Sequence, residues 1–331
     1  MNMIGRWTGT QVSMPFVREE FYNLLMRQID FRFEAYNLAR FSQNFRKEIR
    51  MNGKKDTKKT TVKVDFPRVS PRLLSENVLV ETWAKGKCVS HFYNTTDKNT
   101  EKMRSRVAAG IFDITLKMFL RDNFVHSDMH AGNAIYDEKR DLITLIDAGM
   151  AIELPNDVLN KFGDFIRAVV LGDDVKLASV IYHFHDEISS KAPKPDAVKL
   201  HEEVKKTLDR WRTKGYPPRP GVPTDCTIGD VMADVFTSIS KLGVVMRSDV
   251  SVVMSSMQIS EGLIIGLDPT FDIIGRTPPY FVKYQGWGSI QNVLSAGYNS
   301  NVVDTLSGVH ENSGNMLGVV DRKMGGTAVC A

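Results

Sequence analysis

Three oxygen-bearing side chains, Asp128, Asn133 and Asp147, stand where their types and spacing could do chemistry. Asp128 and Asn133 are five residues apart in His126-Ser127-Asp128-Met129-His130-Ala131-Gly132-Asn133, and Asp147 opens the downstream triplet Asp147-Ala148-Gly149. Phosphoryl transfer needs oxygen ligands for magnesium, a group that orients the accepting hydroxyl, and a rigid frame around one triphosphate. An aspartate followed by an asparagine at this interval is the spacing of a kinase catalytic loop, with the acid in the base position and the amide on the metal. Hard donors such as Asn133 and Asp147 suit magnesium, which keeps waters and phosphate oxygens in its other positions. Any one acid ahead of a hairpin is ordinary turn chemistry. The ordered set is the specific signal.

His126 and His130 permit a rival reading, because His-x-Asp-x-His offers three zinc ligands in a short run. Zinc, however, leaves Gly132-Asn133 and the segment that follows without a purpose. A histidine at 126 is better read as a brace that holds the loop by hydrogen bonding.

The elements that must position these groups follow from periodicity. Ala134-Ile135-Tyr136, the polar turn Asp137 to Asp141 and Leu142 to Ile146 form a β-hairpin signal, and antiparallel pairing would return Asp147 to the loop from which the first strand departs. From Arg18 to Arg50, Phe21, Leu24, Leu25, Ile29, Phe33, Leu38, Phe41 and Phe45 recur at near-helical spacing, which predicts a long amphipathic helix. The lysine-rich run Asn52 to Lys63 reads as an exposed loop. Short β-rich runs follow at Val62 to Val64 and Leu73 to Trp83, with Val78-Leu79-Val80-Glu81 the clearest strand, before a break at Gly86. A helix is predicted over Thr100 to Asp122, and more helices over most of Asn156 to Leu208 and Ile228 to Leu267, around a proline-rich connector at Tyr216 to Pro223. Beyond about Gly286, Gly, Ser and Asn dominate and a loosely ordered tail is expected. A small strand-bearing layer joined to a helical lobe makes the class α+β.

Composition narrows the function. A net charge of +4 from 43 basic and 39 acidic side chains is too slight for a nucleic-acid binder, which concentrates positive charge on one face. It permits an anionic partner such as nucleotide or a lipid headgroup. Cys88, Cys226 and Cys330 are scattered and form no CxxC pair, which argues against a disulfide framework or zinc knuckle and suits a reducing compartment. The N-terminal residues show no secretory signal. The apolar stretch Val244 to Leu267 is interrupted by Arg247, Asp249, Gln258 and Glu261, so it reads as a buried core helix, and any membrane contact would be peripheral.

Taken together these residues resemble the aarF-domain-containing, or UbiB, family of atypical kinases. That family's catalytic segment reads approximately His-x-Asp-x-His-x-Gly-Asn ahead of a Leu-x-Asp-x-Gly strand end. Upstream, Asp30-Phe31-Arg32-Phe33-Glu34-Ala35-Tyr36-Asn37 with Arg40-Phe41 is similar to its Asp-aromatic-x-x-Glu-Ala-x-Asn and Arg-Phe signature. Downstream, Glu261-Gly262-Leu263 with Leu267-Asp268-Pro269 resembles its C-terminal helix ending. Among subgroups, Asp-Ala-Gly in place of Asp-Phe-Gly looks most like the mitochondrial aarF-domain-containing kinase type two. The resemblance implies a protein-kinase-like fold using ATP and Mg. It gives Asp128 the catalytic-loop role, Asn133 and Asp147 the metal, and Glu34 the signature-helix glutamate beside the nucleotide. Asp30 would sit in a clamp over the nucleotide. It also implies a mitochondrial setting, a role near coenzyme Q and isoprenoid lipids, peripheral contact with lipid, and protein partners from lipid biosynthesis.

On this reading residues 1–17 are an N-terminal remnant and 18–85 a partial N-lobe. Residues 86–285 form the helical C-lobe and 286–331 the tail. Two departures from the pattern stand out. The family's Glu-x-Asp appears as Gln28-Ile29-Asp30, and no lysine occurs before Lys47, where a kinase would carry the lysine that pairs with Glu34 and holds the α and β phosphates. The expectation is a kinase or ATPase that looks N-terminally truncated and turns over little. A pseudokinase or scaffold is a second reading. A small-molecule phosphotransferase is a third, disfavoured by the Glu34-Ala35-x-Asn37 helix.

Overall fold

The computed structural model describes residues 28–51, 62–93, 98–187, 192–217, 227–277 and 279–280. The start of the expected signature helix, most of the lysine-rich loop, most of the proline-rich connector and the expected tail lie outside the described residues.

Helix α1 (Phe31–Met51) starts at Asp30, whose Oδ1 accepts from the Arg32 amide at 3.0 Å and so satisfies a donor that the first turn leaves open. The predicted apolar stripe is buried only from Ala35 onward, through Leu38 and Phe41, with Phe45 at the edge of the core. Ile29 and Phe33, expected on that stripe, are 61% and 45% exposed. The first turn overhangs the core, and the Phe31 amide is held there by the Glu76 carbonyl at 3.0 Å.

Strand β1 (Lys63–Asp65) leads into a largely irregular segment with a 3-10 turn at Pro71–Leu73. The strand expected at Val78 to Glu81 does not form a ladder. A single antiparallel bridge joins Val69 and Glu81. The Ser70 and Thr82 amides donate to the Val80 and Arg68 carbonyls at 2.8 and 3.0 Å. β-rich composition is realised only where a neighbour supplies the second half of each bond, and here the described chain supplies one on one side. Strand β2 (Lys87–Cys88) follows Gly86, whose φ of +131° and contact with the Tyr136 carbonyl leave no room for a side chain.

Helix α2 (Lys98–Lys117) passes into a single π-helical turn, Met118–Asp122, where an unbroken helix was predicted. Four short strands come next: β3 (Val125–His126), β4 (Ala134–Asp137), β5 (Leu142–Leu145) and β6 (Ala151–Ile152). β4 and β5 form the predicted hairpin, with Ala134 opposite Leu145 and Asp137 opposite Leu142. The four-stranded sheet runs β1-β5-β4-β2, with β1 parallel to β5, and β3 pairs antiparallel with β6 in a second, two-stranded sheet.

The remaining helices are α3 (Asn156–Leu171), α4 (Asp174–His183), α5 (Ala197–Arg212), α6 (Ile228–Ser240), α7 (Ser248–Leu267) and the short α8 (Ile273–Arg276). Helix α7 is long and apolar enough to cross a membrane by length and composition. Here it lies inside the helical part against α2, with Val250, Val253, Leu263 and Leu267 buried. Its last carbonyl, Leu267, accepts from Arg104 Nε at 2.7 Å. The architecture is α+β, a small sheet beside a larger helical part, as expected.

Candidate functional site

The loop 127–133 and the segment 146–150 are held between the two antiparallel pairs. On one side β3 leads into the loop and β6 leaves the segment, and the Ser127 amide extends their ladder to the Met150 carbonyl at 2.9 Å. On the other side the Ile146 amide donates to the Asn133 carbonyl at 2.9 Å, which continues the β4–β5 hairpin by one step. Asn133 thus lies across from the residue before Asp147.

Within the loop, Asn133 Nδ2 donates to the Asp128 carbonyl at 3.0 Å. A carbonyl can only accept, so the amide orientation is fixed and Asn133 Oδ1 is the atom left to ligate a cation. Asp147 has φ of +55°, a left-handed conformation uncommon outside glycine and tolerated best by Asn and Asp, and it is exposed. Asp128 is partly exposed, with His130 Nε2 at 3.7 Å from its Oδ2. An amide oxygen and a carboxylate are donor types that suit magnesium, which takes one or two protein carboxylates and completes its shell with water and phosphate.

Helix α1 reaches this segment by two side chains one turn apart. Asn37 Nδ2 donates to the Ala148 carbonyl at 2.8 Å, and the Glu34 carboxyl stands near the Ala148 amide, which favours its charged form. The middle residue of Asp147-Ala148-Gly149 is therefore held through its carbonyl by Asn37, with Glu34 on the same helix face. Asp147 Oδ1 and Glu34 Oε2 lie 3.5 and 4.0 Å from where a side-chain carbon on Gly149 would sit. Burial, with the charges of Asp147 and Glu81 added, pushes the Glu34 carboxyl up to about 7. Burial and Asp147 push Glu81 in the same direction. Among the described residues the charged groups acting on Glu34 are acids, where a kinase would place a lysine.

A profile of the ABC1 atypical kinase-like domain matches residues 1–181. The chain belongs to the ABC1 atypical kinase-like family. This is the aarF or UbiB family of the sequence resemblance under another description. The chain is similar to a mitochondrial ABC1 family protein of Saccharomyces cerevisiae, 23% identical over 328 residues that cover 84% of this chain and 47% of that protein. It is also similar to a probable serine/threonine-protein kinase of Dictyostelium discoideum, 31% identical over 124 residues, 38% of this chain and 16% of that one. The chain spans less than half the length of these curated relatives. A Mycobacterium tuberculosis protein solved in complex with erythromycin is 14% identical, with a TM-score of 0.46 over 80% of this chain and 60% of that chain.

In this ABC1 chain His126 is buried, and both its ring nitrogens meet backbone. Nδ1 accepts from the Asp128 amide at 3.3 Å, so Nε2 carries the proton toward the Ile146 carbonyl at 3.2 Å. Burial lowers its pKa, which keeps the ring neutral. His130 Nδ1 accepts from the Gly132 amide at 3.0 Å. The zinc arrangement is not formed, and among the described residues no three His, Cys, Asp or Glu side chains gather to hold a metal ion. Asp30 forks onto Arg32, accepting Nε at 2.9 Å and Nη2 at 2.7 Å, so its carboxylate caps α1 and faces a guanidinium. The structure brings Glu34 to the Asp147 segment and Asn133 to the Asp128 loop. It commits Asp30 to the helix start. Two contributors had no assigned role in the sequence reading, Asn37 and Glu81. The first was legible as part of the Glu-Ala-x-Asn helix face, whereas nothing local marks the second.

Proposed function

We propose that this ABC1 chain binds magnesium nucleotide between the loop 127–133 and Asp147, as an atypical kinase or ATPase of mitochondrial isoprenoid-lipid, coenzyme Q-linked metabolism. The observation that carries the reading is the continuation of the β4–β5 hairpin, which sets Asn133 across from the residue before Asp147 while the Asn133 amide is turned onto Asp128. In this assignment Asn133 Oδ1 and Asp147 hold the metal, Asp128 orients the accepting hydroxyl, and Glu34 frames the phosphate side from α1. Asp30 acts indirectly, by fixing the start of that helix. Bound there, magnesium would draw phosphate oxygens together and offset their charge. The mitochondrial setting is supported by the description of the yeast relative. The lipid or membrane-surface contact and the lipid-biosynthesis protein partners follow from the family resemblance, as does the division into a partial N-lobe, 18–85, and a helical C-lobe, 86–285.

Turnover by this chain should be slow, because Glu34 faces acids and the triphosphate gains no clamp from it. The same observation favours a second reading, a pseudokinase that uses nucleotide binding to fix its shape and dock a partner. A ligand that binds only the folded state stabilises it by about 2.7 kcal/mol at a hundredfold excess over Kd. Magnesium ATP should therefore raise the melting temperature of the wild type and not that of Asp147→Ala or Asn133→Ala. No stabilisation of the wild type would end the nucleotide reading. Robust ATP hydrolysis that disappears in Asp147→Ala would instead overturn the expectation of slow turnover and set the second reading aside.

A further inference from the structure

The π-helical turn Met118–Asp122 and the residues that flank it form a junction that the proposed chemistry does not use. Lys117 is 3% exposed, yet its ammonium is well provided for. Nζ bonds Asp122 Oδ2 at 2.9 Å and the Asn44 carbonyl at 3.3 Å, and sits 3.2 Å from the centroid of the Phe45 ring. Arg121 repeats the pattern, with Nε to Asp122 Oδ1 at 2.8 Å and Nη2 to the same Asn44 carbonyl at 3.0 Å. Two cations thus converge on one backbone oxygen in the C-terminal half of α1.

Asn123, which ends the turn in a left-handed conformation at φ of +45°, grips the chain on the other side. Its Nδ2 donates to the Leu154 carbonyl at 2.8 Å, and its Oδ1 accepts from the Leu154 amide at 3.1 Å. Leu154 lies just past β6, which carries the chain away from Asp147-Ala148-Gly149. One junction therefore holds both the helix that presents Glu34 and Asn37 and the strand exit that follows Ala148.

We infer that Lys117 and Asn123 are positioning residues, which set how α1 meets Ala148 and so where Glu34 stands beside Asp147. The inference rests on the proposal that this is a nucleotide site. From Asn44 to Glu34 the helix runs for about 15 Å at 1.5 Å per residue. A pivot of about 4° at the Asn44 end would displace the glutamate by roughly 1 Å, a misplacement that can cost on the order of a hundredfold in catalysis. The π turn is the C-terminal end of helix α2, closed by Asn123 in a left-handed conformation. It is where helix α2 turns its last side chains onto two neighbours at once.

Two variants test the inference from opposite sides of the junction. Lys117→Met keeps a long unbranched side chain and removes the ammonium that sits over Phe45 and binds Asp122 and Asn44, and Asn123→Ala releases Leu154 without changing charge. Amide hydrogen exchange without nucleotide should become about tenfold faster or more in residues 146–150 of both variants, while protection in α5 is unchanged. Lys117→Arg should restore it. Unchanged exchange of 146–150 in both variants would overturn the inference. So would an equal loss of protection in α5, which would make the junction general support for the fold. Binding of magnesium ATP, followed in parallel, should weaken in Lys117→Met and recover in Lys117→Arg. If the wild type fails to bind it, the nucleotide reading falls, and the exchange measurement still decides the positioning claim.

Discussion

At the scale of single residues, the most informative contact is that on Ala148, whose carbonyl accepts from Asn37 while Glu34 stands nearby on the same helix face. Leaving a buried acceptor unpaired costs more than the net worth of a hydrogen bond, on the order of 1–3 kcal/mol. Asn37→Ala should therefore lower stability by about 1–2 kcal/mol in urea denaturation. Asn37→Asp should cost more, since an acid there can only present oxygen to oxygen and adds charge beside Glu34 and Asp147. A loss from Asn37→Asp no larger than that from Asn37→Ala would show that the amide does not donate to Ala148. The order Asp128, Asn133, hairpin, Asp147 was readable in sequence because every step in it is local. The grip of α1 on Ala148 spans 111 positions, and the spacing of Glu34 and Asn37 says only that they share a helix face. Glu81 was invisible for the same reason, since its partners come from segments far along the chain.

At the scale of elements, side chains from one helix repeatedly complete another. Ser256 on α7 donates to the His126 carbonyl at 2.9 Å and so props the loop that carries Asp128. Further along α7, Glu261 accepts from the Ile228 and Gly229 amides at 2.8 and 2.6 Å, closing the N-terminus of α6 where the dipole favours an acid. Burial nevertheless pushes the Glu261 carboxyl up to about 7 from its ordinary 4.5. A folded-state value above the unfolded one means that the folded protein holds the proton more tightly. This contribution is complete below pH 4.5 and disappears as the pH rises through about 7. Unfolding free energy, measured without magnesium, should fall by a few kcal/mol between pH 5 and 8, and Glu261→Gln should flatten part of that slope. The slope that remains belongs to Glu34 and Glu81, both raised in the same direction. An unaltered slope in Glu261→Gln would refute the assignment. The hairpin and the helices were legible because their hydrophobic periods are local. The parallel pairing of β1 with β5 and the failure of Val78 to Glu81 to form a ladder were not, because strand composition says nothing about which neighbour arrives.

At the scale of the whole molecule, one core runs through both expected lobes, from Leu38 and Phe41 in α1 to Ile264 and Ile274 in the last helices. Phe41 is fully buried, with ring centroids 5.3 Å from Phe66, 4.6 Å from Phe124 and 5.9 Å from His126. It therefore joins the signature helix to the loop brace. Phe41→Ala should cost about 3–5 kcal/mol, the usual range for emptying a buried aromatic site. In a chain of this size that is roughly 10 °C in melting temperature. Calorimetry should show a single transition that shifts as a whole, because the cavity would open where the two parts share their packing. An early separate transition would instead show that α1 and its neighbours melt independently of the helical part. Leu200→Ala supplies the contrast, since Leu200 is equally buried in α5 but belongs to the helical packing of α5. It should cost about 2–5 kcal/mol by the same cavity argument. Both variants lose stability, but only Phe41→Ala withdraws the surface against which His126 is stacked. At temperatures where both are folded, Leu200→Ala should keep the stabilisation by magnesium ATP and Phe41→Ala should lose most of it. Equal retention in the two would mean that the loop holds its shape without α1, and that the helix serves stability alone.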